Sequence, residues 1–215
     1  MSIAGKPVRG AVKRVSFSRG RVPAPVNSRA AILAAAARLF AEKAYEDVNI
    51  RDVGKAAKVG SPTIYHFFRS KKGLYQAAVL ELYSKRAEHM AARLLKTGSA
   101  RQRFLSFVTA HLESIAQDRI FFQLVQRELL NNDDDFKKLV AETVLWNSYS
   151  YLQDIFRETK FGPNNPTMPA IVMSILLGYF QIMRFQRHLP VYEETDGAEI
   201  NIQDVAQEIT RIFFD

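Results

Sequence analysis

The sequence predicts an all-α fold, with a three-helix N-terminal unit built around a helix-turn-helix and a larger helical part behind it. Three observations point there. Apolar residues recur at three- and four-residue spacing along most of the 215 residues, the signature of amphipathic helices. Glycine and proline are modest, at 10 and 8, which fits a mostly helical chain. Residues 49–72, NIRDVGKAAKVGSPTIYHFFRSKK, hold two short helical stripes parted by Gly60 and restarted by Pro62, a residue tolerated in the first turn of a helix.

Residues 1–26 contain Lys6, Arg9, Lys13, Arg14, Arg19 and Arg21 and no acid. No apolar period is sustained, so this stretch reads as a disordered basic arm. It lacks the continuous apolar run of a secretory signal. Two readings of it stay open: an arm that follows phosphates or enters a minor groove, or a terminus with incidental charge.

The first helix is expected from about Ser28 to Lys43, where Ile32, Ala35, Ala36, Leu39 and Phe40 form one stripe. Tyr45, Val48 and Ile50 then plug a small core. Asn49 is a good N-cap for the second helix, because its side-chain oxygen can accept from a free N–H of the first turn. Asp52, three residues on, stands where the acid of a capping box would lie. Ile50, Val53 and Ala57 keep the apolar face, and Gly60 is expected to supply the turn. The third helix should begin near Ser61 and run to Phe67, with Ile64 and Phe68 inward and Thr63, Tyr65 and His66 outward. Two short helices with a polar and aromatic outer face make a helix-turn-helix, the motif running over about residues 50–68.

Charge supports that assignment. Residues 1–75 hold 15 Lys/Arg and 4 Asp/Glu, a balance of +11, whereas residues 76–215 hold 15 and 18, a balance of −3. The basic surplus lies in the part with the motif, which favours a polyanion partner there. Ser70 can cap a fourth helix, and Lys71 and Lys72 fall in its first turn. Cations at that end oppose the helix dipole by ~0.3–1 kcal/mol each. They make sense where a phosphate meets lysines and backbone N–H groups together.

The stretch YHFFRSKKGLY resembles the YxYFxSKxxL segment of the tetracycline-repressor (TetR) family of bacterial transcription regulators. Upstream, RAAILAAAARLFAEKAYEDVNIRDV is similar to that family's first helix and its entry to the second. The resemblance covers about Asn27 to Tyr83. The family has glycine where Ala44 stands, and Ala-Gly-Val-Ser where Ala57-Lys58-Val59-Gly60 stands. Gly60 therefore lacks a capping hydroxyl, for which Ser61 is expected to substitute. The resemblance implies a DNA-binding domain at 27–86 and an effector-binding and dimerisation domain at 87–215. An apolar seam through Leu74, Ala78, Leu82, Met90 and Leu94 predicts a long fourth helix from Lys71 to about Leu95, and the resemblance implies that it carries movement from one domain to the other.

Beyond residue 99, helices are expected at Arg101–Gln117, Arg119–Asn131, Asp134–Lys160, Pro169–Leu189 and Ile202–Phe214, with Asp118 and Asp133 as N-caps. FGPNNPTMP and EETDGAEIN are breaks. The apolar run from Met168 to Met183 falls short of the ~20 residues of a membrane span, and no membrane partner is expected. The last two helices, the final one through Val205, Ile209, Ile212 and Phe213, offer adjacent apolar surfaces, and the family resemblance implies that a two-fold axis joins them in a four-helix interface.

No catalytic set is found, and no cofactor is implied. His66, His89, His111 and His188 are scattered without carboxylate partners at metal-ligand spacing. There is no glycine-rich phosphate loop or nucleophile elbow, and no cysteine. The C-terminal part is rich in large aromatics with polar residues among them, the composition of a mostly apolar pocket. Phe107, His111, Phe122, Trp146 and Tyr149 are the candidate ligand contacts, each to be weighed against an ordinary place in the core.

The expected function is that of a homodimeric, ligand-responsive transcription regulator acting in the bacterial cytoplasm, a repressor of a palindromic operator in double-stranded DNA. Its Ser61–Phe67 helix would enter the major groove. Asn49 and Pro62 are expected among the DNA-binding residues; Arg51, Tyr65, Lys71 and Lys72 would hold phosphates, while Ser61, Thr63 and His66 read base edges. The effector would be a small apolar or amphipathic molecule. The alternatives are an architectural DNA-binding protein without an effector and, further off, an enzyme acting on a small molecule.

Overall fold

The computed structural model describes residues 28–162, 165–186, 188 and 201–215. The basic arm, the helix end expected at Leu189 and most of EETDGAEIN lie outside the described residues. Those described form α1 (Ser28–Glu42), α2 (Ile50–Ala57), α3 (Ser61–Phe68) and α4 (Lys71–Ala91). After them come α5 (Ala100–Gln117), α6 (Arg119–Leu130), α7 (Asp134–Val140), α8 (Trp146–Arg157), α9 (Thr167–Gln186) and α10 (Ile202–Phe214). One π-helical segment, Ala141–Leu145, interrupts the long helix expected over Asp134–Lys160.

Helix ends follow their caps. Asn49 accepts from the Arg51 N–H at 2.8 Å, Ser70 from Gly73 at 3.0 Å, and Asp118 from Phe121 at 3.0 Å. Asp133 caps α7 through Phe136 N–H at 3.2 Å. A full capping box stands only at α5 among the described residues, between Ser99 and Gln102. Asp52 takes no such role and lies 3.8 Å from Lys55 instead.

Two apolar cores form. The first joins Ile32, Phe40, Val53, Ile64 and Leu74 of the N-terminal helices. It runs on into Leu124, Phe136, Val140 and Val144, so α6, α7 and the π segment are seated on α1 and α4. The second gathers Phe104, Phe107, Leu152, Phe156, Leu176 and Phe213 from α5, α8, α9 and α10. Ile209 and Phe213, expected on a subunit-facing surface, are buried against their own chain because α10 lies along α5. Ile212 is exposed on the other side of α10, as are Ile171, Ile182 and Phe185 along α9. No helix among the described residues is long and apolar enough to cross a membrane.

Candidate nucleic-acid interface and ligand cavity

The outer face is set by two turns, one at each end of α3. At the first, Lys58 adopts φ 57° and ψ 38°, the left-handed conformation that costs a side chain about 1 kcal/mol. Gly60 has φ −77° and is extended. The turn expected of Gly60 is therefore made at Lys58, the position where the resembled family has glycine. Val59 N–H returns to the Gly54 carbonyl at 2.9 Å. A Cβ on Gly54 would lie 2.8 Å from the Val59 carbonyl oxygen, so the close turn also needs a bare backbone there. Gly60 is the N-cap of α3 and makes no side-chain cap bond; Ser61 does not substitute, because it already sits at the first helical position.

At the other end Arg69 adopts φ 57° and ψ −35°, and Ser70 N–H reaches back to the Phe68 carbonyl at 2.6 Å, a γ-turn. Lys58 and Arg69 are the positive-φ residues other than glycine among those described. Both are exposed cations that no other described side chain engages. Backbone strain gathers at functional sites, and here it brackets the exposed helix.

Between these turns, Ile64 and Phe68 are buried, and Arg29 of α1 stands over the Phe68 ring at 5.8 Å. Pro62, Tyr65, His66 and Phe67 are exposed, and Ser61 and Thr63 half-buried. Arg51 is exposed on α2, while the Asn49 side chain is taken up by its cap. Lys71 and Lys72 depart from expectation. Lys71 donates to the Glu46 carbonyl at 2.9 Å and lies 4.7 Å over the Tyr45 ring. Lys72 lies 2.8 Å from the Asp133 carboxylate. That hydrogen bond raises the Lys72 ammonium above its usual range and, with the Phe136 N–H, lowers the Asp133 carboxyl. Both lysines answer the unfavourable dipole end of α4 by pairing within the chain.

Behind this head lies a cavity of about 450 Å³, walled by α4 to α9 and the π segment. Met90, Ile115, Phe121, Val125, Val144 and Leu177 make its apolar surface. Tyr83, His111, Glu128, Lys137, Ser148 and Tyr149 add polar groups. Of the five candidate contacts, His111 and Tyr149 line it. Phe107 is buried in the second core, stacked on His111 and Tyr151 at 3.9 and 5.8 Å, and Phe122 packs edge-on to Phe180. Trp146 is 61% exposed. It stands two residues from inward Val144, a spacing that turns a helical side chain to the opposite side.

Glu128 is buried on the cavity wall and accepts the Tyr75 hydroxyl and the Asn131 amide. Tyr75 belongs to α4 and packs at 4.9 Å on Phe40 of α1. Sequence spacing could not show this pair, since its partners lie 53 residues apart. Burial and the Glu128 bond together push the Tyr75 phenol far up. The His111 imidazole is pushed down to about 4 by burial, against a weaker opposing pull from its bond to the Phe107 carbonyl.

A short helix pair with a strained, cationic, exposed second member, joined to a cavity-bearing helical body, defines a helix-turn-helix regulator. Residues 32–78 match the profile of the bacterial regulatory proteins of the tetR family. The chain is 22% identical over 191 residues to the probable HTH-type transcriptional regulator YttP of Bacillus subtilis (strain 168), covering 82% of this chain and 92% of that one. The fold is that of the transcriptional regulator FadR from Bacillus subtilis, solved in complex with stearoyl-CoA (TM-score 0.67, 16% identity, 86% of this chain and 96% of that chain). It is also that of a tetR-family regulatory protein from Rhodococcus RHA1 (TM-score 0.66, 19% identity, 86% and 94%).

Proposed function

We propose that this protein is a homodimeric transcriptional repressor that lays α3 in the major groove of a palindromic operator and releases it when a small apolar or amphipathic molecule enters the cavity. The observation that carries the reading is the sharing of α4. Its first turn follows α3 directly, Tyr75 bonds cavity-lining Glu128, and Tyr83 and Met90 form cavity wall. A ligand that favours one position of α4 then biases the spacing of two recognition helices through its differential affinity for the two states. The stearoyl-CoA bound by FadR supports an apolar-tailed ligand for this fold.

In this reading Arg51, Lys58, Tyr65 and Arg69 hold phosphates, and Ser61, Thr63 and His66 meet base edges. Asn49 and Pro62 shape the ends of α2 and α3, while Lys71 and Lys72 fasten α4. The protein acts in the cytoplasm, as a regulator and not an enzyme. Dimer contacts fall to exposed Ile171, Ile182 and Phe185 of α9 and Ile212 of α10. Selection of genomic fragments by the purified protein tests the proposal. Enrichment of one two-fold-symmetric site, with preference altered by Thr63→Ala, is the expected result; capture that follows only fragment length would refute it.

A further inference from the structure

Tyr83 and His111 are each 4% exposed and line the cavity, yet Tyr83 Oη and His111 Nε2 have no hydrogen-bond partner. Buried polar atoms are nearly always paired, and an unpaired one marks a place where a partner is expected. The two are set apart along the cavity. Arg86 pairs with Asp118 and Arg93 with Glu113, which runs α5 antiparallel to α4 and puts His111 beside the C-terminal half of α4. Tyr83 lies further towards the N-terminus of α4, near Glu128.

The hydrogen-bonding sense of each atom follows from its surroundings. His111 Nδ1 lies 2.9 Å from the Phe107 carbonyl, an acceptor, so Nδ1 carries the proton. The imidazole is neutral, because burial holds it at about 4, and Nε2 is therefore an acceptor. Glu128, also on the wall, is a carboxylate already accepting from Tyr75 and Asn131. Tyr83 is a neutral phenol, held protonated by burial and by Glu128, and can donate. Among the described residues Lys137 is the one cation lining the cavity; its side chain is 42% exposed and lies 3.8 Å from Asp134. The inner wall thus offers an unpaired acceptor at His111 and an unpaired donor at Tyr83 beside the Glu128 carboxylate, so a carboxylate ligand would meet an acceptor at the first and a like charge near the second.

Building on the reading of the cavity as the effector site, we propose that its ligand is an elongated, uncharged apolar molecule whose hydroxyl or N–H donates to His111 Nε2, and that carboxylates are rejected. A group that only accepts, such as an ether, leaves Nε2 unpaired; a hydroxyl pairs it.

The full-length protein decides this by calorimetric titration at pH 7.5 with 1-decanol, its methyl ether and decanoate. Decanol is expected to bind about tenfold or more tighter than either. In a folded His111→Leu variant the alcohol and the ether should bind alike. Equal binding of alcohol and ether by the wild type, or tightest binding of decanoate, overturns the ligand chemistry while leaving the cavity as an effector site. Preference for the alcohol that persists in His111→Leu overturns the role of His111. Binding of none of the three overturns the cavity reading and this inference with it.

Discussion

Lys72 Nζ lies 2.8 Å from Asp133 Oδ2, so the first turn of α4 is tied to the cap of α7. Gln76, one turn further along α4, donates to the same carboxylate oxygen at 3.2 Å. The link joins the segment after α3 to the cavity-bearing body. It also withdraws Lys72 from the phosphate-holding role its position suggests. Arg69, three residues earlier, has no such partner among the described residues. Arg69→Ala should weaken DNA binding of all sequences alike and lower the salt slope by about one. Lys72→Ala should leave the slope where it is. Anisotropy titrations over a range of salt compare the two, and a lowered slope in Lys72→Ala alone would reverse the assignment.

Lys58→Gly separates stability from binding. A lysine held at φ 57° carries strain that glycine does not. The substitution should raise unfolding stability by up to about 1 kcal/mol, offset in part by glycine's greater freedom in the unfolded chain. DNA affinity should fall, because a cation next to α3 is lost. Urea denaturation and operator titration measure the two effects, and a variant that is both less stable and unchanged in affinity would contradict the account.

Gly54→Ala tests the turn from its inner side. The new methyl would meet the Val59 carbonyl oxygen at 2.8 Å, and that atom is backbone, which cannot swing aside. A loss of about 1–3 kcal/mol is expected, with DNA binding impaired because α3 is displaced relative to α2. Chemical denaturation followed by circular dichroism gives the value.

These positions show what could be read from sequence. The caps Asn49, Ser70, Asp118 and Asp133, and the inward pair Ile64 and Phe68, were legible because each depends on spacing within a turn or two. Lys58 was half-legible: the resembled family places glycine there, but nothing in a lysine announces a left-handed backbone. Lys72–Asp133 and Tyr75–Glu128 were not legible, because they join helices far apart in the chain. Aromatic content could not separate core from cavity. Phe107 and Phe122 satisfy the same composition as Tyr149, and only the packing of α5, α6 and α8 divides them. Nor does a helical period reveal the π segment at Ala141–Leu145, where Ala141, Val144 and Leu145 keep the three- and four-residue spacing of an ordinary helix.

Tyr75→Phe should cost about 1.5–3 kcal/mol, because it removes a buried hydrogen bond to a carboxylate and leaves the ring contacts with Phe40 and Tyr45 in place. Combined with Glu128→Gln, the loss should be smaller than the sum of the two single losses. Thermal or urea unfolding of the four proteins completes the cycle. Strict additivity would mean that the pair does not couple α4 to α6.

His111 gives the fold an acid-sensitive point. Its imidazole titrates at about 4 when folded, against 6.5 as the ordinary value. The unfolded chain therefore binds the proton more readily throughout that interval, and stability rises with pH across it. Equivalently, stability present above pH 6.5 is lost as pH falls, by about 3 kcal/mol at pH 4. Asp133, whose carboxyl is lowered by its hydrogen bond from Lys72, adds stability that is present above the ordinary carboxylate range and is lost only as pH falls through it, at the acid end of this window. Unfolding midpoints measured from pH 7 to 4 should therefore fall steadily in the wild type and much less in His111→Leu. Parallel slopes in the two proteins would mean that the imidazole is reached by water and protonated without cost.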